Sequence, residues 1–318
     1  MNIVVIGHGM VGHKFLEQLH ALGVADANVT VLCEEPRAAY DRVHLSEFFS
    51  GKSAEDLSLV APGFFEASGF TLRLAARAAA VERRERTVTT ADGEVIPYDR
   101  LVLATGSAPF VPPVPGRDRP HCFVYRTIED LEAMQASAAR SRTGVVVGGG
   151  LLGLECAKAL RDLGLETHVV EFAPRLMAVQ VDDGGGRVLR SKIEDLGVQV
   201  HTGRNTLEIT DGATARHRMV FADGTHLETD MIVFSAGIRP RDEIARQCAL
   251  AIGPRGGVAV DDHCRTSDRN VYAIGECASW REQTFGLVAP GYDMARVAAR
   301  HIAGEAEAAF GGADLSTK

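Results

Sequence analysis

Apolar positions follow two rhythms along this chain. Runs of branched aliphatics, Ile3-Val4-Val5-Ile6 and Val145-Val146-Val147, read as buried strands. Each is followed by apolar residues at three- and four-residue spacing, the mark of a helix with one buried face. Phe15, Leu16, Leu19 and Leu22 precede Gly23, and Ala157, Leu160 and Leu163 precede Gly164. Second strands follow at 29–33 and 167–170, and further aliphatic runs at 101–103 and 231–234 alternate with polar turns. The pattern predicts an α/β chain with parallel sheets flanked by helices.

The small residues between these elements sharpen the picture. The first strand runs into Gly7-His8-Gly9-Met10-Val11-Gly12, and 141 positions later its counterpart runs into Gly148-Gly149-Gly150-Leu151-Leu152-Gly153. In such a turn the first glycine permits a tight bend, the middle one lets backbone approach a pyrophosphate, and the third lets helix and strand pack closely. The helix that follows turns free N–H groups and its positive dipole end toward the anion. The second strands then deliver Glu34 and Glu171, acceptors for ribose hydroxyls. One glycine pattern alone is weak, because surface turns also use glycine. Strand, glycines, helix, strand and acid recurring in that order imply two dinucleotides on one chain, and hence electron transfer between cofactors.

The repeat extends further. The stretches Tyr98-Asp99-Arg100-Leu101-Val102-Leu103-Ala104-Thr105-Gly106 and Asp230-Met231-Ile232-Val233-Phe234-Ser235-Ala236-Gly237 share an acid, a buried strand and a small-residue turn. A hairpin is expected before each, around Asp92-Gly93 and Asp223-Gly224. The prolines at 109, 112, 113 and 115 mark a link leaving the first unit, and Ile238-Arg239-Pro240 marks the return. A strand ending in Gly275-Glu276-Cys277 and a helix over 292–302, with Pro290-Gly291 before it, complete the first unit. The expected division is a first unit in two parts, 1–110 and 241–318, around an inserted unit, 111–240. Residues beyond about 303 are polar and rich in Gly and Ala, and are expected to fray.

The 318 residues suffice for two domains of ordinary size. A net charge of −8 and a pI near 5.8, with basic residues dispersed, argue against a nucleic-acid partner. No apolar stretch reaches spanning length and no charged leader precedes the first strand, so no membrane partner and a cytoplasmic location are expected. The six cysteines form no Cys-x-x-Cys pair and the eleven histidines no metal pattern, so no metal is expected, and the cysteines read as small core residues.

Several stretches together carry a resemblance: the two glycine turns, Cys33-Glu34-Glu35-Pro36-Arg37, Ala39-Tyr40-Asp41-Arg42-Val43-His44-Leu45-Ser46, Val124-Tyr125-Arg126-Thr127-Ile128-Glu129-Asp130-Leu131, Gly275-Glu276-Cys277-Ala278-Ser279-Trp280 and Gly286-Leu287-Val288-Ala289-Pro290-Gly291-Tyr292. They span nearly the whole chain. The sequence resembles the two-dinucleotide flavoproteins, the pyridine-nucleotide-dependent FAD oxidoreductases. Within them it is most similar to the N-terminal reductase region of the NAD(P)H-dependent nitrite reductase large subunit. The resemblance implies two Rossmann-like domains, the NAD domain (111–240) inserted into an FAD domain (1–110 and 241–318), with FAD as cofactor and NADH or NADPH as co-substrate. FAD is implied on Gly7, Gly9, Met10, Gly12, Glu34, Glu35, Arg42, Ala78, Ala104, Thr105, Gly106, Arg126, Gly275, Glu276 and Ala289, with glutamate at 276 where most relatives carry aspartate. The pyridine nucleotide is implied on Gly148, Gly150, Leu151, Leu152, Gly153, Glu171, Arg175 and Gly237, with Glu155 near the nicotinamide. An anionic Glu171 repels a 2′-phosphate and favours NADH, while Arg175 leaves NADPH open.

In this family the cofactors carry the hydride chemistry, so no general base is expected; the protein brings nicotinamide and flavin together in a dry stack. The helix opening near Ala289-Pro290-Gly291 is expected to place its positive end at the reduced flavin. The redox cysteines of disulfide-reducing relatives have no counterpart, and Glu47 follows Ser46 where a rubredoxin-reducing branch has lysine. The segment from Gly311 to Lys318 continues, in the nitrite reductase branch, into an interface domain and then iron–sulfur and sirohaem regions. The expectation is thus a module without the interface domain, monomeric or weakly dimeric. It would pass electrons to iron–sulfur or sirohaem domains or to a separate acceptor protein, and could not itself reduce nitrite. The alternatives are a stand-alone ferredoxin or rubredoxin reductase, or a flavin-bearing sensor or docking module.

Overall fold

The computed structural model describes residues 1–24 and 27–313; residues 314–318, the end of the segment read as leading into a further domain, lie outside the described residues. The chain divides into two compact units. One comprises Met1–Asp41, Leu57–Ala108 and Arg239–Lys318, the other Arg42–Asp56 and Pro109–Ile238.

The first unit is built on a five-stranded sheet in the order Val271–Ala273, Arg100–Leu103, Asn2–Ile6, Asn28–Leu32, Thr71–Arg73. Every pairing is parallel. Strands buried on both faces need continuous apolar runs, which Ile3 to Ile6 and Leu101 to Leu103 supply. The order reverses beside Asn2–Ile6, which has Asn28–Leu32 on one side and the later Arg100–Leu103 on the other. That reversal opens a crevice at the carboxyl ends of these strands, where the Gly7 turn lies. Helix Met10–Ala21 follows the turn and packs on helix Val288–Ile302.

The second unit repeats the plan with the order Val198–Thr202, Glu166–Glu171, Thr143–Val147, Met231–Phe234, Cys122–Val124, again all parallel. Its glycine turn leads into helix Leu151–Asp162. The fifth strand comes late in the chain in the first unit and early in the second, yet takes the same place beside the closing strand. Met219, Phe221, Ile232 and Phe234 build part of its core.

Four features depart from the sequence reading. Each expected hairpin has a third strand, Ala78–Glu82 in one unit and Thr206–Asp211 in the other. The long helix starts at Val288, so Pro290 and Gly291 lie inside its first turn, where a missing N–H breaks no helical bond. Among the described residues the chain from 304 to 313 does not fray: Phe310 is 3% exposed, edge-on to Trp280 and Phe285, and its N–H donates to the Asp262 carbonyl. Finally, Arg42–Asp56 makes its contacts within the second unit. Its turn Leu45–Ser50 packs on helices Ile128–Ala138 and Leu151–Asp162, and Phe49 stacks on Tyr125 with ring centres 6.4 Å apart.

Candidate dinucleotide sites

The six motif glycines fall into two groups. Gly7 and Gly148 have φ of +109° and +120°, and a Cβ at either would overlap a closing-strand carbonyl, that of Ala104 or of Ser235. Gly12 and Gly153 lie against the carbonyls of Gly7 and Gly148, again leaving no room for a Cβ. Packing within the protein explains these four.

It does not explain Gly9 and Gly150. Their backbones are extended, with φ −88° and −80°, a conformation any residue adopts. Among the described residues no atom beyond their chain neighbours comes within 4 Å of a Cβ built on either one. Each caps a helix with no side-chain bond, so no capping side chain takes the first-turn N–H groups. The cradle a Cβ would fill is the place for an anion, and the absence of acidic residues from both first turns favours one.

In the first unit Glu34 is exposed at the end of its strand, paired with Arg241 at 2.5 Å and Arg77 at 3.6 Å. Glu35 accepts from the Tyr40 hydroxyl at 2.8 Å. Thr105 donates to the Arg241 carbonyl at 2.6 Å, and the Arg241 N–H donates to Gly106. Glu276 accepts from the Ser107 hydroxyl at 2.7 Å. Gly275, with φ +77°, and Gly291 both lie against Val11, which lets the helices Met10–Ala21 and Val288–Ile302 approach. Ala78 is half-buried in its strand, Met10 half-buried at the start of its helix, and Ala289 exposed in the first turn of the long helix. His8 is buried beneath the turn: its Nδ1 accepts from the Ala39 N–H, and burial with the neighbouring His13 pushes the imidazole down from 6.5 to about 3.

The second unit contains a cleft of about 580 Å³ lined by Gly148, Gly150, Glu171 and Gly237 among the expected residues. The Glu171 carboxylate accepts from the Gly149 and Ala173 N–H groups at 2.5 and 2.6 Å. Leu151 and Leu152 open the helix beyond the cleft lining, and Gly153 packs beneath the turn. Arg175 does not line this cleft. Its guanidinium is tied to the Val181 and Ala178 carbonyls and to Asp183. Among the lining residues that escaped the sequence reading are Phe172 and Val179, 74% and 94% exposed, and Arg204, paired with Asp223. Phe172 directly follows Glu171 and could have been found from that position.

Glu155 is half-buried one turn into its helix. Burial lifts its carboxyl above the ordinary range, and His44 opposes that rise. Arg42 donates to the Arg126 carbonyl at 2.9 Å, and both residues belong to the second unit.

Fold and cradles together define a chain with two Rossmann-type nucleotide units, one inserted into the other. The profile of the pyridine nucleotide-disulphide oxidoreductase family matches residues 1–301, and the chain belongs to that family, as an FAD oxidoreductase that uses NAD(P)H. It is 57% identical over 320 residues to the NADH nitrite reductase large subunit of Escherichia coli (strain K12), a match covering 100% of this chain and 38% of that protein. To the rubredoxin-NAD(+) reductase of Pseudomonas putida it is 30% identical, over 91% of this chain and 74% of that one. A ferredoxin reductase structure from Rhodopseudomonas palustris matches 98% of this chain and 78% of its own, with TM-score 0.90 and 28% identity. None of the six cysteines is in a disulfide, and four of them are buried. No helix among the described residues is long and apolar enough to cross a membrane.

Proposed function

We propose that this chain is the NADH-oxidising reductase module of a nitrite reductase large subunit, working in the cytoplasm and delivering electrons to an iron–sulfur acceptor outside it. The observation that carries the two-cofactor reading is the pair of glycines, Gly9 and Gly150, that nothing among the described residues requires. Similarity to the E. coli large subunit over this entire chain supports the nitrite reductase assignment, and six cysteines outside any disulfide support a reducing compartment.

When bound, FAD and the pyridine nucleotide supply the hydride chemistry, so the chain's residues need only bind, orient and exclude water. In this reading the 7–12 turn and the helix Met10–Ala21 hold the FAD pyrophosphate, with Glu34 at the ribose. Thr105, Gly106 and Glu276 line the same end of the sheet. The 148–153 turn holds the pyridine nucleotide, with Glu171 at its ribose and Glu155 toward the nicotinamide. Two backbone amides aim Glu171, no cation among the described residues pairs with it, and Arg175 is committed elsewhere. These facts support NADH over NADPH.

A stand-alone ferredoxin or rubredoxin reductase is the second reading, favoured by coverage of 74% of the P. putida reductase. The residue after Ser46 speaks against it, being Glu47, an acid paired with Lys52. Anaerobic stopped-flow mixing with NADH tests the proposal. Flavin bleaching within seconds, faster than with NADPH, is expected, followed by reoxidation on adding the iron–sulfur domains of a nitrite reductase. Reduction slower than about one per minute, far below ordinary turnover, indicates a binding module instead. Reoxidation by rubredoxin alone supports the second reading.

A further inference from the structure

The two cradles are near-copies, yet their ribose acids are held by different means. Glu171 is aimed by backbone amides, of Gly149 before it and Ala173 two residues after it. The residue two positions after Glu34 is Pro36, which has no N–H to give. No amide donates to Glu34 among the described residues. Two guanidinium groups take that place, Arg241 on Oε2 at 2.5 Å and Arg77 on Oε1 at 3.6 Å. The local charge around the acid is therefore reversed, from minus one at Glu171 to plus one at Glu34.

Arg241 is also the better rooted of the two. Its N–H donates to the Gly106 carbonyl and its own carbonyl accepts from Thr105, so its backbone is fastened on both sides to the turn that closes the first sheet. Arg77 is 69% exposed on the loop before a strand, whereas Arg241 is 38% exposed.

We propose that Arg241 is a positioning residue for FAD. It substitutes for the amide that Pro36 lacks, aiming Glu34 at the adenosine ribose and cancelling the negative charge the acid would otherwise set beside a dianionic pyrophosphate. The proposal rests on FAD occupying the 7–12 cradle. It makes the 7–12 cradle the one that holds its dinucleotide more tightly, and leaves the other with an unneutralised acid. Among the described residues the Arg241 guanidinium bonds the Glu34 side chain alone, so its effect on FAD runs through Glu34.

FAD dissociation constants, read from flavin fluorescence during reconstitution of the stripped full chain, test it. Arg241→Gln should weaken FAD about 5–10-fold while leaving the apoprotein's melting temperature unchanged. In a Glu34→Gln background the same change should have less than about half that effect on a logarithmic scale. Pro36→Ala, which restores an N–H at the position of Ala173, should recover affinity in the Arg241→Gln chain. An unchanged constant in Arg241→Gln, an equal loss in both backgrounds, or no recovery with Pro36→Ala each overturns the role assigned to Arg241. Failure of the unsubstituted chain to bind FAD overturns the underlying cofactor reading instead.

Discussion

Replacing Gly150 with alanine separates a ligand-imposed glycine from a fold-imposed one. No described atom lies within 4 Å of the new methyl, and φ −80° with ψ −179° suits alanine as well as glycine. The terms left are a lower unfolded-state entropy, which stabilises by about 0.4–1 kcal/mol, and a poorer helix cap, which costs about as much. Stability should therefore stay within about 1 kcal/mol, a shift of about 2–4 °C in melting temperature. Binding is another matter, because the methyl occupies the space through which a pyrophosphate reaches the first-turn amides. Loss of one or two charge-assisted bonds there weakens NADH about 10–100-fold. Gly148→Ala is the contrasting variant: its methyl overlaps the Ser235 carbonyl at φ +120°, costing about 2–5 kcal/mol. Calorimetry and NADH titration of the two proteins check the pair. A Gly150→Ala chain that binds NADH as tightly as the parent, or melts as low as Gly148→Ala, refutes the reasoning.

Further outcomes follow from the same geometry. Glu171→Gln removes the charge facing a 2′-phosphate and should raise the NADPH to NADH ratio of kcat/KM by about 10-fold or more; an unchanged ratio counts against Glu171 as the discriminating acid. His8 stays neutral in the folded chain down to about pH 3, whereas in the unfolded chain it takes up a proton near 6.5. Stability is therefore lost as pH falls across that window, by up to about 1.4 kcal/mol per unit, and His8→Asn should flatten the acid side of a melting-temperature profile. Phe310→Ala empties the space against Trp280 and Phe285 and should cost about 3–5 kcal/mol in calorimetry, whereas a loose tail would cost under about 1 kcal/mol.

The duplication was legible because each copy is local: strand, glycine turn, helix and acid lie within one stretch of sequence, and periodicity reports local structure well. What escaped depends on distant partners. The strand Ala78–Glu82 begins with three alanines, a weak strand signal, and forms by pairing with Thr87–Thr90. Phe310 stands alone in a polar tail, and nothing nearby in sequence announces the aromatic pair it meets. The segment Arg42–Asp56 follows the first unit's second strand, yet Phe49 finds Tyr125 seventy-six positions later. Arg175 and Arg204 show the same limit at the site, since their positions in sequence give no hint that one is tied to carbonyls while the other lines the cleft. Arg241 differs in kind, because its part becomes visible only when Pro36 is set beside Ala173.

Occupancy of the two cradles by separate dinucleotides is open to one direct measurement, equilibrium binding of FAD and of a non-reducible NADH analogue to the stripped chain and to its Gly9→Val and Gly150→Val variants. Two independent sites are predicted, with FAD lost only in Gly9→Val and the analogue lost only in Gly150→Val. A single site, or loss of both ligands in either variant without unfolding, would contradict it.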